Sequence, residues 1–381
     1  MILYDASHNM RFQDYGIMLP ISSSRAERVL DHLEGHFEGG TRGHSMPYPG
    51  PVFNTASALF YLSGKNTGIT RKDLETVHSQ EFIAALFGDN DPVPAAEGGG
   101  LSGLAKALLA AYELIDSDGK PHRYEPDRAV KPLSSLFQTV LAQVGGTYLA
   151  CRLALDPGPG FCYYLGGGMH HARYDSGSGF CLLNDIAVAV RKLQTEGRAG
   201  LVWIIDLDVH KGDGTAELIH FARWRGELAP PSAAAMPGTM PPCVLTLSVH
   251  MARGWPLDAE SLAAASPGRA PLVPSDVDIG IETGEEEEYL RLLKEGIVRL
   301  EQLSGGNSPD IVLVVDGADV YEHDGLPSSG LLKLSLEQCL ARDNFVYRYL
   351  IDRNIRSAWI QAGGYGDRAW EPCAYFLGGI R

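Results

Sequence analysis

The sequence predicts an α/β protein, a single three-layer α/β/α domain over residues 1–381 built on a central, mostly parallel sheet. Three observations carry this. Short runs rich in apolar and β-branched residues recur along the chain. Helical patterns separate them, as in a parallel sheet with crossover helices. The residues able to do chemistry gather just after the runs, where open α/β sheets collect their ligands.

The runs are 162–165 (CYYL), 201–208 (LVWIIDLD), 244–249 (VLTLSV), 311–316 (IVLVVD) and 358–363 (AWIQAG). Each is almost continuously apolar, the pattern of a strand covered on both faces. Residues 184–197 open on Asn184, which can cap a helix, and close on Gly197. Residues 283–303 place acids in the first turn, which suits the helix dipole, and Tyr289, Leu293, Ile297 and Leu300 form one apolar stripe. Residues 335–353 follow the same pattern. Residues 85–132, rich in Gly, Pro and charge, read as a long irregular excursion with a helix near 102–115. The Pro/Ala-rich stretch 229–242 enters a strand from a helix, so it belongs on the rim opposite the strands' carboxyl ends.

With 45% hydrophobic and 21% charged residues, the chain has a soluble globular composition and material for a large core. A net charge of -15 disfavours nucleic-acid binding, which needs clustered Lys and Arg. No apolar run reaches the ~18 residues of a membrane span. The N-terminus lacks the basic-then-apolar pattern of a signal peptide, so a cytoplasmic location is expected. Cys151, Cys162, Cys181, Cys243, Cys339 and Cys373 include no CxxC pair, and buried thiols in a reducing compartment are expected.

The stretch WIIDLDVHKGDGT (203–215) begins as a buried strand and turns acidic. Alternation points Asp206, Asp208 and His210 to one side and Lys211 to the other. Two carboxylates and an imidazole crowded together repel unless a cation joins them. Carboxylate oxygen and imidazole nitrogen both suit Zn²⁺, and a catalytic zinc takes three protein ligands with one position open. A hydrogen-bonded acidic strand end is the alternative. After another strand, LGGGMHHARYDSGSGFCLLND (165–185) sets His170 beside His171 in a glycine-rich loop, an arrangement suited to acid–base chemistry. Asp206 and Asp213 are available to fix their tautomers. Residues 314–325 end a third strand in Asp316 and Asp319. In 360–370, Tyr365 follows a Gly-Gly turn and can donate its phenolic proton to a developing oxyanion.

The segments GGMHHA, SGFCLLND, DLDVHKGDGT, GAD and GGY, in this order, resemble the histone deacetylase family of zinc-dependent amidohydrolases, within the arginase–deacetylase fold. The resemblance covers residues 160–370, and the first 150 residues match only loosely, as at GGTYLA (145–150). It implies Asp208, His210 and Asp319 as zinc ligands. His171 would be the general base and later the acid, with His170 as its electrostatic partner. Asp206 would pair with His170 and Asp213 with His171, and Tyr365 would bond the oxyanion. Gly179 and Phe180 would line an acyl-lysine tunnel, with Trp255 as the facing aromatic wall. A structural potassium ion would be held by Asp206, the backbone of Asp208 and His210, and Ser248. The implied substrate is acylated lysine in a peptide or protein, or a small acylated amine.

Three departures from the family pattern stand out. Lys211 occupies a place where the family usually has a second His or another residue. A structural or surface role is expected for it, and a perturbation of Asp213 is the alternative. The family's rim aspartate, which grips a substrate backbone, has no secure counterpart: Val130 or a neighbour occupies its place, with Asp127 nearby. The acidic gatekeeper of the polyamine-deacetylating branch is replaced by Leu326, which suits a lysyl substrate, while nearby Glu322 keeps the acetylpolyamine reading open. An inert binding homologue would have lost ligands or Tyr365, and an arginase-like dimanganese enzyme would carry further Asp and His ligands. The sequence shows neither.

Overall fold

The computed structural model describes residues 1–35, 50–62, 68–89, 101–116, 118–235, 242–258 and 272–380. These residues contain one sheet of eight strands: β1 Ile2–Leu3, β2 Val52–Phe53, β3 Phe161–Tyr164, β4 Leu201–Asp206, β5 Cys243–Met251, β6 Val277–Ile281, β7 Ile311–Asp316 and β8 Ser357–Gln361. The order is β2-β1-β3-β8-β7-β4-β5-β6. Every neighbouring pair is parallel. Helices flank the sheet, giving the expected α/β architecture.

Alternation explains the apolar runs. Leu201, Trp203 and Ile205 of β4 enter one core, together with Val312 and Val314 of β7. Val202 and Ile204 of β4 enter the core on the other face, with Ile311, Leu313 and Val315. Both faces are covered, so no polar residue interrupts either strand before its carboxyl end. The strands at the two ends of the order, β2 with its neighbour β1 and β6, escape the sequence reading. β1 and β2 are two residues long, too short to show a period, and β6 is half exposed and carries Asp278 and Gly280.

The helices follow their caps. The Asn184 side chain accepts from Ala187 N–H and starts the helix Asp185–Thr195. Ser335 and Gln338 form a capping box for the helix Leu336–Asp352. A 3₁₀ turn, Glu286–Glu288, precedes the helix Tyr289–Leu303. The helix Leu136–Leu155 is buried around most of its circumference and therefore lacks an amphipathic signature. The 85–132 excursion contains the helix Gly103–Ala111, and its residues 90–100 and 117 lie outside the described residues. In the 229–242 stretch, Ala229 N–H donates to the Pro242 carbonyl (2.8 Å), just before the amino end of β5. Its described residues therefore sit on the rim away from the strands' carboxyl ends, and 236–241 lie outside the described residues. All six cysteines are free and buried. No helix among the described residues is long and apolar enough to cross a membrane.

Candidate active site

Strands β3, β8, β7 and β4 are consecutive neighbours in the sheet, so the loops leaving their carboxyl ends meet. That adjacency brings together His170 and His171 after β3, Tyr365 after β8, Asp319 after β7, and Asp208 and His210 after β4.

Asp208, His210 and Asp319 are buried, and one donor atom from each lies within 4.8 Å of the others. His210 Nδ1 is 3.0 Å from Asp319 Oδ2 and 3.3 Å from Asp208 Oδ1. Backbone amides fix the carboxylates: Gly363 N–H donates to Asp208 Oδ2 (2.9 Å) and Val209 N–H to Asp319 Oδ1 (3.0 Å). A Cβ on Gly363 would lie 2.5 Å from both carboxylates, and one on Gly317 2.6 Å from Asp208 Oδ2, so glycine is required to make room for the cluster. Burial and the neighbouring Asp208 push the Asp319 carboxyl up. Burial alone would lower His210, but Asp208 and Asp319 outweigh it and raise the imidazole to about 9. Two buried carboxylates aimed at one imidazole need a proton or a cation between them. The donor set and spacing fit a divalent, zinc-type ion.

The two histidines each have a carboxylate. His170 Nδ1 lies 2.8 Å from Asp206 Oδ2, and His171 Nδ1 lies 2.8 Å from Asp213 Oδ1. Burial favours neutral His170, but Asp206 and Asp208 outweigh it and raise its pKa to about 10. The loop that carries the pair is held from below. Asp185 accepts from Gly168 N–H (2.9 Å), Met169 N–H (2.7 Å) and the Thr147 hydroxyl, and Gln143 accepts from Gly167 N–H. Gln143 and Thr147 lie in the part of the chain where sequence motifs are loose: Thr147 falls in the loosely matching GGTYLA, and no local pattern marks Gln143.

Behind Asp213 stands a further layer. Arg173 lies 3.6 Å from Asp213 Oδ2 and pairs with Glu217. His78 is enclosed: Asn184 N–H donates to its Nε2 (3.1 Å), so its Nδ1 donates to the Arg173 carbonyl (2.7 Å). That arrangement requires neutral imidazole, and burial lowers its pKa to about 4 from 6.5. A lowered folded pKa means the unfolded chain binds more protons between these values. Stability is therefore full above pH 6.5 and falls by about 3 kcal/mol as the pH drops to about 4. Denaturant midpoints across this range should show that loss, and His78→Gln should reduce it.

Lys211 points away from the metal cluster, and of the expected structural or surface roles it takes the structural one. It is buried and ion-paired with Asp278, which also takes His250 Nε2 at 2.7 Å. Its own carbonyl accepts from Asp213 N–H (2.8 Å), which ties the turn under His171 to this pair. Lys211→Met would leave Asp278 with less compensation. A loss of about 3 kcal/mol is expected by denaturant titration, the lower end for a buried pair, because Asp278 is 25% exposed.

A cavity of about 120 Å³ is lined by His170, His171, Asp208, Tyr365 and Arg25. Arg25 donates to the carbonyls of Gly364 (3.2 Å) and Gln361 (3.3 Å), and sequence reasoning missed it. Gly179 and Phe180 line the cavity. Gly179 has φ +54°, and a Cβ there would overlap the Trp255 ring and lie 2.7 Å from His171 Cδ2. Trp255 packs edge-on against His171, with ring centres 4.5 Å apart, and stands opposite Gly179. Leu326 is buried, and its N–H donates to Asp324 (2.9 Å). Asp324 accepts Tyr365 N–H (2.6 Å) as well, and burial and then Asp319 raise its pKa to about 7. Burial, then Asp319 and Asp208, push the Tyr365 phenol well above its ordinary value. Asp316 stays outside the cluster. It pairs with Arg342 (2.7 Å) and accepts from the Tyr163 hydroxyl (2.7 Å).

Several known proteins are similar to this chain in sequence or fold. An uncharacterized protein of Picosynechococcus sp. is 31% identical over 233 residues, which cover 61% of this chain and 64% of that protein. Histone deacetylase 2 of Arabidopsis thaliana is 30% identical over 223 residues, 58% of this chain and 48% of its own. Acetoin utilization protein AcuC of Staphylococcus aureus is 28% identical over 217 residues, 55% of this chain and 46% of its own. The chain thus spans less than two thirds of each of these relatives. The crystal structure of acetylpolyamine aminohydrolase from Burkholderia pseudomallei superposes with a TM-score of 0.56 over 99% of this chain and 97% of that one, at 20% identity. That likeness speaks to the arginase–deacetylase fold alone. The family described as the histone deacetylase domain matches residues 20–376, nearly the whole length, and the chain belongs to the histone deacetylase family.

Proposed function

We propose that the chain, folded as one domain over 1–381, is a zinc-dependent amidohydrolase that removes an acetyl or other acyl group from an amine, with acyl-lysine as the first substrate class. The observation that carries this reading is the convergence of the Asp208–His210–Asp319 cluster with two His–Asp pairs at 2.8 Å on one cavity. When bound, zinc supplies Lewis acidity, polarising the amide carbonyl and acidifying water. His171, its Nδ1 held by Asp213, takes the proton of the attacking water and returns it to the departing amine nitrogen. His170, fixed by Asp206, keeps positive charge beside it. The Tyr365 phenol, protonated at neutral pH, donates to the carbonyl oxygen as negative charge develops there.

The buried Ser248 Oγ has no hydrogen-bond partner among the described residues and sits opposite Asp206 in the β4–β5 register. That orphaned oxygen supports a potassium site formed with Asp206 and the backbone of Asp208 and His210. Six buried thiols support a cytoplasmic location. The test is a panel of acyl-lysine peptides, acetylpolyamines and longer acyl amides, assayed with metal-loaded protein. Hydrolysis of acyl-lysine is expected, and no hydrolysis of any amide would sink the reading.

A further inference from the structure

Among the described residues, four non-glycine residues have left-handed backbone: Glu113 (φ 53°), Arg123 (φ 53°), Phe180 (φ 65°) and Asn354 (φ 54°). Arg123 touches both Glu113 and Phe180. Phe180 N–H donates to the Ala111 carbonyl (2.9 Å), which brings the Phe180 wall against the end of the helix Gly103–Ala111. The Arg123 guanidinium lies over the Phe180 ring, 5.4 Å from its centre, and its Nη1 donates to Glu113 Oε2 (2.6 Å). Conformations that L-residues avoid persist only where their surroundings over-determine them, and they cluster at functional sites.

The surroundings do so here. Met18 N–H donates to the Arg123 carbonyl (2.9 Å), and the adjacent His122 N–H donates to the Leu114 carbonyl (2.8 Å). Arg123 is thus held rigidly on the outer side of a cavity wall, its side chain 32% exposed. Nη2 and Nε have no hydrogen-bond partner among the described residues. The other cations of this loop are answered in place, Arg128 by Glu125 and Lys131 by Asp14. Val130, at the rim position discussed above, is 77% exposed, and its side chain offers no acceptor.

We infer that Arg123 sets the charge preference of the site: it selects acylated amines whose chain carries a carboxylate or carbonyl oxygen beyond the Phe180 wall, and rejects those carrying a second cation. The inference rests on the proposed amidohydrolase reading. The alkyl stem of a substrate passes Phe180, and whatever follows it meets the free edge of a fixed guanidinium. A carboxylate there gains charge-assisted hydrogen bonds, whereas an ammonium group is repelled.

Two pairs of probes test this. 6-Acetamidohexanoate and N-acetylcadaverine both carry the amide and five methylenes and differ in a carboxylate or ammonium end, and their KM values can be compared. A carboxylate-ended and an ammonium-ended alkyl hydroxamate report the same preference as Kd on metal-loaded protein, without turnover. The anionic member of each pair should be favoured by about tenfold at low salt, less at high salt because the site is partly exposed. Arg123→Gln should erase the preference, Arg123→Glu should invert it, Arg123→Lys should retain part of it, and Glu113→Gln should strengthen it. Opposite shifts at Arg123 and Glu113 are not expected from simple loss of structure. Equal affinities in the wild type, or a preference that survives Arg123→Glu, overturn the inference. If the hydroxamates show the preference but no amide is hydrolysed, the amidohydrolase reading fails and the charge selection stands.

Discussion

Replacing Tyr365 by phenylalanine should leave the bound metal in place and lower kcat on an acyl-lysine amide by about 10²–10³-fold, the cost of losing one oxyanion donor. The backbone supports so clean an effect. Tyr365 N–H is anchored on Asp324, and the following Gly366 N–H donates to the Pro20 carbonyl, so the ring position does not depend on the hydroxyl. The phenol is held far above neutrality by burial, Asp319 and Asp208, and acts as a donor only. KM should move little, since the bond strengthens as charge develops on the carbonyl oxygen. Equal kcat for the variant and wild type, at equal zinc content by elemental analysis, would remove Tyr365 from the chemistry.

The reach of the sequence can be judged residue by residue. The strands β3, β4, β5, β7 and β8 are legible because two covered faces leave an unbroken apolar run, and the chemical residues are legible because they lie within a few positions of those runs' ends. Alternation also predicts the side to which Lys211 turns. It does not predict its burial, because the partner Asp278 lies 67 positions away. The same reason hides Arg25, which meets Gly364 across 339 positions, and Gln143 and Thr147, which support the His170 loop from a helix apolar nearly all round. Trp255 and Leu326 sit in loops, where no period fixes direction and only the resemblance speaks for them. Arg123 is invisible for another cause. Its placement rests on three left-handed residues, each costing about 1–2 kcal/mol for an L-residue, and the sequence offers no glycine to announce them.

Asp319→Asn should abolish hydrolysis and weaken zinc binding by more than the roughly 10–100-fold that follows loss of an outer hydrogen-bond partner. The substitution is nearly isosteric. The amide oxygen can still accept from Val209 N–H, while the amide nitrogen donates to His210 Nδ1 and occupies the lone pair that a metal would use. Chelator competition should read the lost affinity, with no need for turnover. Stability should move the other way. In metal-free protein, Asp319 is raised by burial and by Asp208, so keeping it ionised at neutral pH costs folding free energy that a neutral amide does not. Metal-free Asp319→Asn should therefore melt at or above metal-free wild type. Zinc should raise the melting temperature of the wild type strongly and that of the variant little, because a ligand stabilises only the state that binds it. A variant that binds zinc as tightly as wild type would place the metal elsewhere. A metal-free variant that melts well below wild type would show that the Asp319 carboxylate holds the loop after β7 through its hydrogen bonds more than its charge strains it.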